Sequence, residues 1–171
     1  VYPIASRNAK DFANLMDVYL DAVFYPLIYE NKYTLKQEGW HYELSGPEDR
    51  LAYNGVVYNE MKGVYSAPDA LLTYCGSKVL FPDTPYRFES GGLPEAIPNL
   101  TQAAFEKFHQ TYYSPENSYI YLYGDLDIEA NLAHLDSYLQ AFTKTGQVHS
   151  EIPLQPMSEF TVEVNETYPV A

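Results

Sequence analysis

Apolar positions along this chain recur mostly at helical spacing. After Asn8, with Asp11 three residues on as in a helix N-cap, Phe12, Leu15, Met16, Tyr19, Leu20, Val23 and Phe24 follow an i, i+3, i+4, i+7 pattern until Pro26 stops it. Tyr53, Val57, Met61 and Val64 form a second stripe. Pro68 ends or kinks that helix, and Ser66 with Asp69 predicts the cap of another running to about Ser77. Thr101 is placed to cap a helix with Phe105, Phe108 and Tyr112 on one face, which Pro115 breaks. Asp127 caps a last one bearing Ile128, Leu132, Leu135, Leu139 and Phe142. Strand patterns are shorter: Val1–Ala5, a strand around Trp40 and Tyr42, Ser118–Tyr123, and an alternating run from Phe160 to Val164. Two segments are neither: 81–98 carries Pro82, Pro85, Gly91, Gly92, Pro94 and Pro98 and reads as an ordered loop, in which Arg87 and Glu89 suggest a surface ion pair. From Thr143, Gly146, Pro153 and Pro156 suggest a linker.

One position breaks the pattern. On a helical wheel Glu60 falls at the edge of the apolar stripe, beside Val56 and Val57, so its carboxylate is expected to point toward the core or a cleft. An ionised carboxylate there needs an arginine or lysine, backbone donors or a metal ion. The spacing alone leaves a structural ion pair, a rim residue with an exposed head, and a metal or catalytic role all open.

Composition narrows the partners. The 171 residues carry 10 basic and 23 acidic side chains, a formal net charge of −13, against the concentrated positive charge that nucleic acids and anionic membranes require. Aromatic content reaches 16%, with 18 tyrosines, which suits half-buried strands, an aromatic core or a peptide-lined chamber. Cys75, the single cysteine, precludes an internal disulfide, fits a reducing compartment, and has no local base to make it a nucleophile. The four histidines, His41, His109, His134 and His149, are far apart, and none forms the paired spacing that puts two imidazoles on one helix face. Each reads as structural: His41 in an aromatic strand, His109 and His134 on helices, His149 in a polar connector. No zinc site can be assembled locally from them.

Four segments carry a resemblance: Gln37–Glu43, Tyr53–Ser66, Leu80–Gly92 and Tyr112–Asp125. In order and over nearly the whole chain, they resemble the presequence-protease (M16C) branch of the insulinase-type zinc metallopeptidases. In that family an inverted His-x-x-Glu-His motif supplies two histidine ligands and a general base, and a glutamate on a later helix is the third protein ligand. Glu60 matches that glutamate. The resemblance places the histidine motif a few dozen residues upstream of Val1, so the chain is expected to be a fragment.

The resemblance implies an α+β fold, helices packed on one face of a mainly antiparallel sheet. It implies that residues 1–142 are the C-terminal portion of the catalytic domain and residues 143–171 a linker and the start of the next domain. It also implies a zinc-dependent metalloendopeptidase degrading short unfolded peptides, with Zn2+ held in the intact parent, Glu60 as metal ligand, no catalytic residue within this chain, and the fragment alone inactive. The expected partners are peptide substrates and the remaining domains of the parent. The expected location is cytoplasmic, or an organellar lumen if a targeting segment precedes the fragment. Two alternatives remain from other classes: a non-catalytic M16-like scaffold or peptide-binding subunit, and a free-standing binding domain with an acidic, aromatic interaction face.

Overall fold

The computed structural model describes residues 1–146, 151–157 and 163–168. Its elements are α1 (Ala9–Phe24), β1 (His41–Glu43), β2 (Ala52–Asn54), α2 (Val56–Val64), α3 (Pro68–Leu80), α4 (Gln102–Tyr112) and α5 (Ile128–Leu139), joined by single-turn helical segments. By contacts along the backbone they divide into two compact units, one of residues 1–31 and 103–150, the other of residues 32–102 and 151–171.

The expected sheet scaffold is not what forms. Helices of 16, 9, 13, 11 and 12 residues stand against two strands of three residues each. Among the described residues those strands pair only with each other, antiparallel, Tyr42 opposite Tyr53. Val1–Ala5 and Ser118–Tyr123, both expected as strands, enter no ladder. A strand gains stability only beside a hydrogen-bonded neighbour, and neither segment has one among the described residues. Ser118–Tyr123 keeps the alternation of a strand all the same: Leu122 packs on the core while Tyr119, Tyr121 and Tyr123 face solvent. The run expected at Phe160–Val164 lies largely outside the described residues, and Glu163 and Val164 are not in a strand.

In the first unit the core is therefore helix on helix. Met16 and Leu20 of α1 meet Leu135 of α5, with Ile4, Phe12, Phe24, Leu122 and Tyr138 packed around them. Asn8 starts α1 as expected, its Oδ1 accepting from the amides of Lys10 (2.9 Å) and Asp11 (3.1 Å). Asp127 starts α5 in the same way through Ala130 N at 3.0 Å. That helix stops at Leu139, short of Phe142, whose ring stacks on Tyr25 at 5.2 Å and meets Phe24 edge-on at 5.4 Å. On the outer side of α1, Asp17 takes a 2.7 Å contact from His134 Nε2, and Asp21, one turn on, accepts from Tyr138 at 2.9 Å.

His109, on α4, is fixed from both ring nitrogens. Nε2 donates to the Val23 carbonyl at 2.8 Å, so Nδ1 accepts from the Tyr29 hydroxyl at 2.6 Å. The same imidazole stacks on Tyr113 at 4.5 Å, and the Tyr113 hydroxyl shares a 2.6 Å hydrogen bond with Tyr2. After α4, Glu116 accepts from the amide and hydroxyl of Thr145 (2.9 and 2.8 Å) and from Gly146 N, and these donors hold its carboxyl below the usual range.

These contacts have a pH signature. Burial, then the bond to Tyr113, pushes the Tyr2 phenol up to about 12; burial, then Asp21, raises Tyr138 further. A phenol whose folded pKa exceeds its unfolded value of 10.0 contributes stability that is complete below pH 10 and is lost as pH rises through the folded value. Chemical denaturation between pH 8 and 12 should show a steady loss of stability above pH 10, and Tyr2→Phe should flatten part of that slope. A flat profile in the parent chain would refute the assignment.

Candidate functional site

The second unit builds the surroundings of Glu60 from a hairpin and a tight crossing. β1 and β2 present Trp40, Tyr42 and Tyr53 to one another at 5.3–5.7 Å between ring centres, and Tyr58 continues the row from α2 at 5.8 Å from Tyr53. Trp40 Nε1 donates to the Leu100 carbonyl at 3.2 Å. At the end of β2, Asn54 Oδ1 accepts from Gly55 N (2.8 Å) and from Asn59 Nδ2 (2.5 Å), while its own amide donates to Glu43 Oε2 (2.7 Å). One side chain thus satisfies a free amide at the helix start and ties the helix to the strand before it.

Gly55 is required twice over. Its φ is 149°, and a Cβ there would lie 2.3 Å from the Gly39 carbonyl oxygen. The following helix then settles by Met61, which is buried at 6% exposure and sits where a Cβ on Gly91 would come within 2.4 Å of its sulfur. The loop 81–98 is correspondingly ordered: Ile97 is buried in it, and Arg87 donates to the Pro82 carbonyl at 2.9 Å and covers the Phe88 ring, in place of the expected pair with Glu89. Ser66, expected as the cap of α3, instead donates back to the Gly63 carbonyl at 2.6 Å, and α3 starts from Ala67 with Pro68 in its first turn.

With Met61 holding the inner side, Glu60 is exposed rather than aimed at a core. Val56 and Val64, one turn before and after it, are 56% and 45% exposed, and Gly63 has open space above its Cα. Among the described residues the Glu60 side chain makes no hydrogen bond and no ion pair. Its carboxylate stands free on an apolar strip of helix surface. The structural ion pair left open by the spacing is not formed there.

Among the described residues no histidine joins it. His41 Nδ1 donates to the Lys36 carbonyl at 2.7 Å, His109 and His134 are engaged as described above, and His149 lies outside the described residues. Among the described residues no group of three or more histidine, cysteine, aspartate or glutamate side chains is placed to hold a metal ion. As a donor set Glu60 suits one position at a zinc centre and no more. Cys75 is a free, partly buried thiol on α3. What the periodicity missed was β2 and the Asn54–Glu43 tie; the Tyr-Asn-Gly stretch before the helix was the available signal.

Comparison with known proteins bears on this arrangement. The family model described as "Peptidase M16 inactive domain" matches residues 99–168. Among curated proteins, the chain is 52% identical over its full length to "Protein HypA" of Clostridium perfringens. It is 47% identical over 98% of its length to "Presequence protease 1, chloroplastic/mitochondrial" of Arabidopsis thaliana. It is 40% identical over 91% of its length to "Presequence protease, mitochondrial" of Danio rerio. It spans only 18%, 16% and 15% of those three proteins, respectively. Among the described residues no helix is long and apolar enough to cross a membrane.

Gly55→Ala should weaken this site from a distance. Relieving the clash requires the start of α2 to move away from Gly39, at a cost of about 1–3 kcal/mol for the backbone conformation alone. A denaturation midpoint unchanged by the substitution would contradict the crossing described above.

Proposed function

This chain belongs to the M16 peptidases, in their presequence-protease branch, and from that premise we propose that Glu60 is one protein ligand of a zinc site in a metalloendopeptidase acting on short unfolded peptides. The observation that carries the reading is the state of that carboxylate: at the position matching the family's later-helix glutamate, it is exposed on α2 and unpaired among the described residues. A glutamate with a structural task would be engaged. One kept for a ligand contributed from elsewhere in the parent would be left open.

The work of this chain is to hold the carboxylate in place. Gly55 and Asn54 fix where α2 starts, and Met61 against Gly91 fixes how it is rotated. Val56 and Val64, exposed on either side of it, leave the carboxylate open to a cation held by groups from elsewhere in the parent. Zinc, when bound, supplies a Lewis acid that activates water and polarises a peptide carbonyl. The two histidines and the general base come from outside this chain, and residues 143–171 serve as linker and start of the next domain. On its own the chain binds no zinc tightly and hydrolyses nothing, since one carboxylate cannot hold the ion against water. The relatives' names support peptide substrates and, for the two presequence proteases, an organellar setting.

A second reading, a non-catalytic M16-like scaffold or peptide-binding subunit, is favoured by one observation. The matched family model is described as an inactive domain and covers 99–168, leaving Glu60 outside it.

The two readings separate in the full-length protein. Glu60→Gln should lower zinc content and peptidase rate together, by no less than the roughly 10–100-fold that losing an outer-shell partner costs at zinc sites. Wild-type zinc content and rate in that variant would remove Glu60 from the site; absence of both in the parent would leave the scaffold.

A further inference from the structure

The face of α2 turned away from Glu60 borders a cavity of about 530 Å3 that the peptidase reading does not use. Its walls are Tyr53, Tyr58 and Tyr65, two prolines, and the polar residues Lys62, Glu95 and Asn99. Tyr58 and Lys62 each lie two residues from Glu60, about 200° around the helix, so the cavity and the carboxylate occupy opposite sides of the same element. It is an open groove of small-molecule dimensions rather than an enclosed pocket.

Two opposite charges line it. Lys62 folds its ammonium 5.5 Å over the Tyr58 ring, and Glu95 lines the same opening, yet the two form no ion pair with each other. Among the described residues neither has any other ion-pair partner. Tyr65 lends an aromatic wall, its own hydroxyl being buried without a hydrogen-bond partner among the described residues. A ligand that complements this surface carries an anion for Lys62, a cation for Glu95 and an apolar or aromatic body for the tyrosines.

We infer that this cavity is a second binding site, separate from Glu60, for a zwitterionic dipeptide or amino acid with an aromatic side chain. The carboxylate meets Lys62, the ammonium meets Glu95, and the ring lies among Tyr53, Tyr58 and Tyr65. The zwitterion follows from the two charges alone; the preference for a dipeptide rests on the peptidase reading, in which such molecules are products. A ligand seated there presses on the helix that carries the metal-binding carboxylate, from behind.

Calorimetric titration of the full-length protein, with chelator present to stop turnover, tests this with Ala-Phe, its N-acetylated form and its C-terminal amide. The free dipeptide should bind saturably and each blocked form about 10-fold more weakly, the loss of one charge-assisted contact. Lys62→Met should erase the discrimination against the amide and keep that against the acetylated form; Glu95→Gln should do the reverse. Both positions are exposed on the surface, and a circular dichroism spectrum matching the parent shows that the fold is kept. No saturable binding, equal affinity for the blocked forms, or an identical pattern in both variants would overturn the site. The titration is repeated with Glu60→Gln: unchanged affinity supports a separate site, whereas loss of binding places the dipeptide at Glu60 and overturns the inference. A Glu60→Gln enzyme of full activity, by contrast, would remove Glu60 from the zinc site, and absence of zinc and activity in the parent would defeat the peptidase reading; either would leave the dipeptide result standing.

Discussion

The approach of two backbones, Gly39 and Gly55, sets the geometry on which the second unit depends. The segment before β1 and the start of α2 come so close that the gap excludes even a methyl group. Everything downstream takes its direction from that crossing. The hairpin brings Asn54 to the helix start, the helix sets Met61 into the space left by Gly91, and Glu60 is turned outward as a result. The carboxylate's freedom is thus a product of packing elsewhere, since nothing holds the side chain itself among the described residues.

Long amphipathic helices were legible in the sequence because their signal is repeated over several turns. α1 and α5 appear where the spacing and the Asn8 and Asp127 caps place them. Strands were another matter. Val1–Ala5 and Ser118–Tyr123 have the composition of strands, but a strand is completed by its neighbours, and composition cannot report whether these are present. The same limit explains why the expected sheet-based architecture gave way to a helical one with a single short hairpin.

At the candidate site the sequence singled out Glu60 but did not show its environment. The wheel put the carboxylate at the edge of the apolar stripe, facing a core or cleft, whereas it is exposed. It did not show which neighbour would take the inner position. Met61, flexible and unbranched, fits the gap at Gly91, and that choice turns Val56 and Val64 to solvent beside the glutamate. Likewise the ordered loop 81–98 was recognisable from its prolines and glycines, but the stacking of Arg87 on Phe88 depends on the local fold of that loop.

Gly91 therefore acts as the angular stop of a nine-residue helix. It bears no reactive atom and belongs to a loop, yet a bulkier residue there would unseat Met61 and swing the carboxylate one residue along with it by the same rotation. Such a change would displace Glu60 without altering any atom of it.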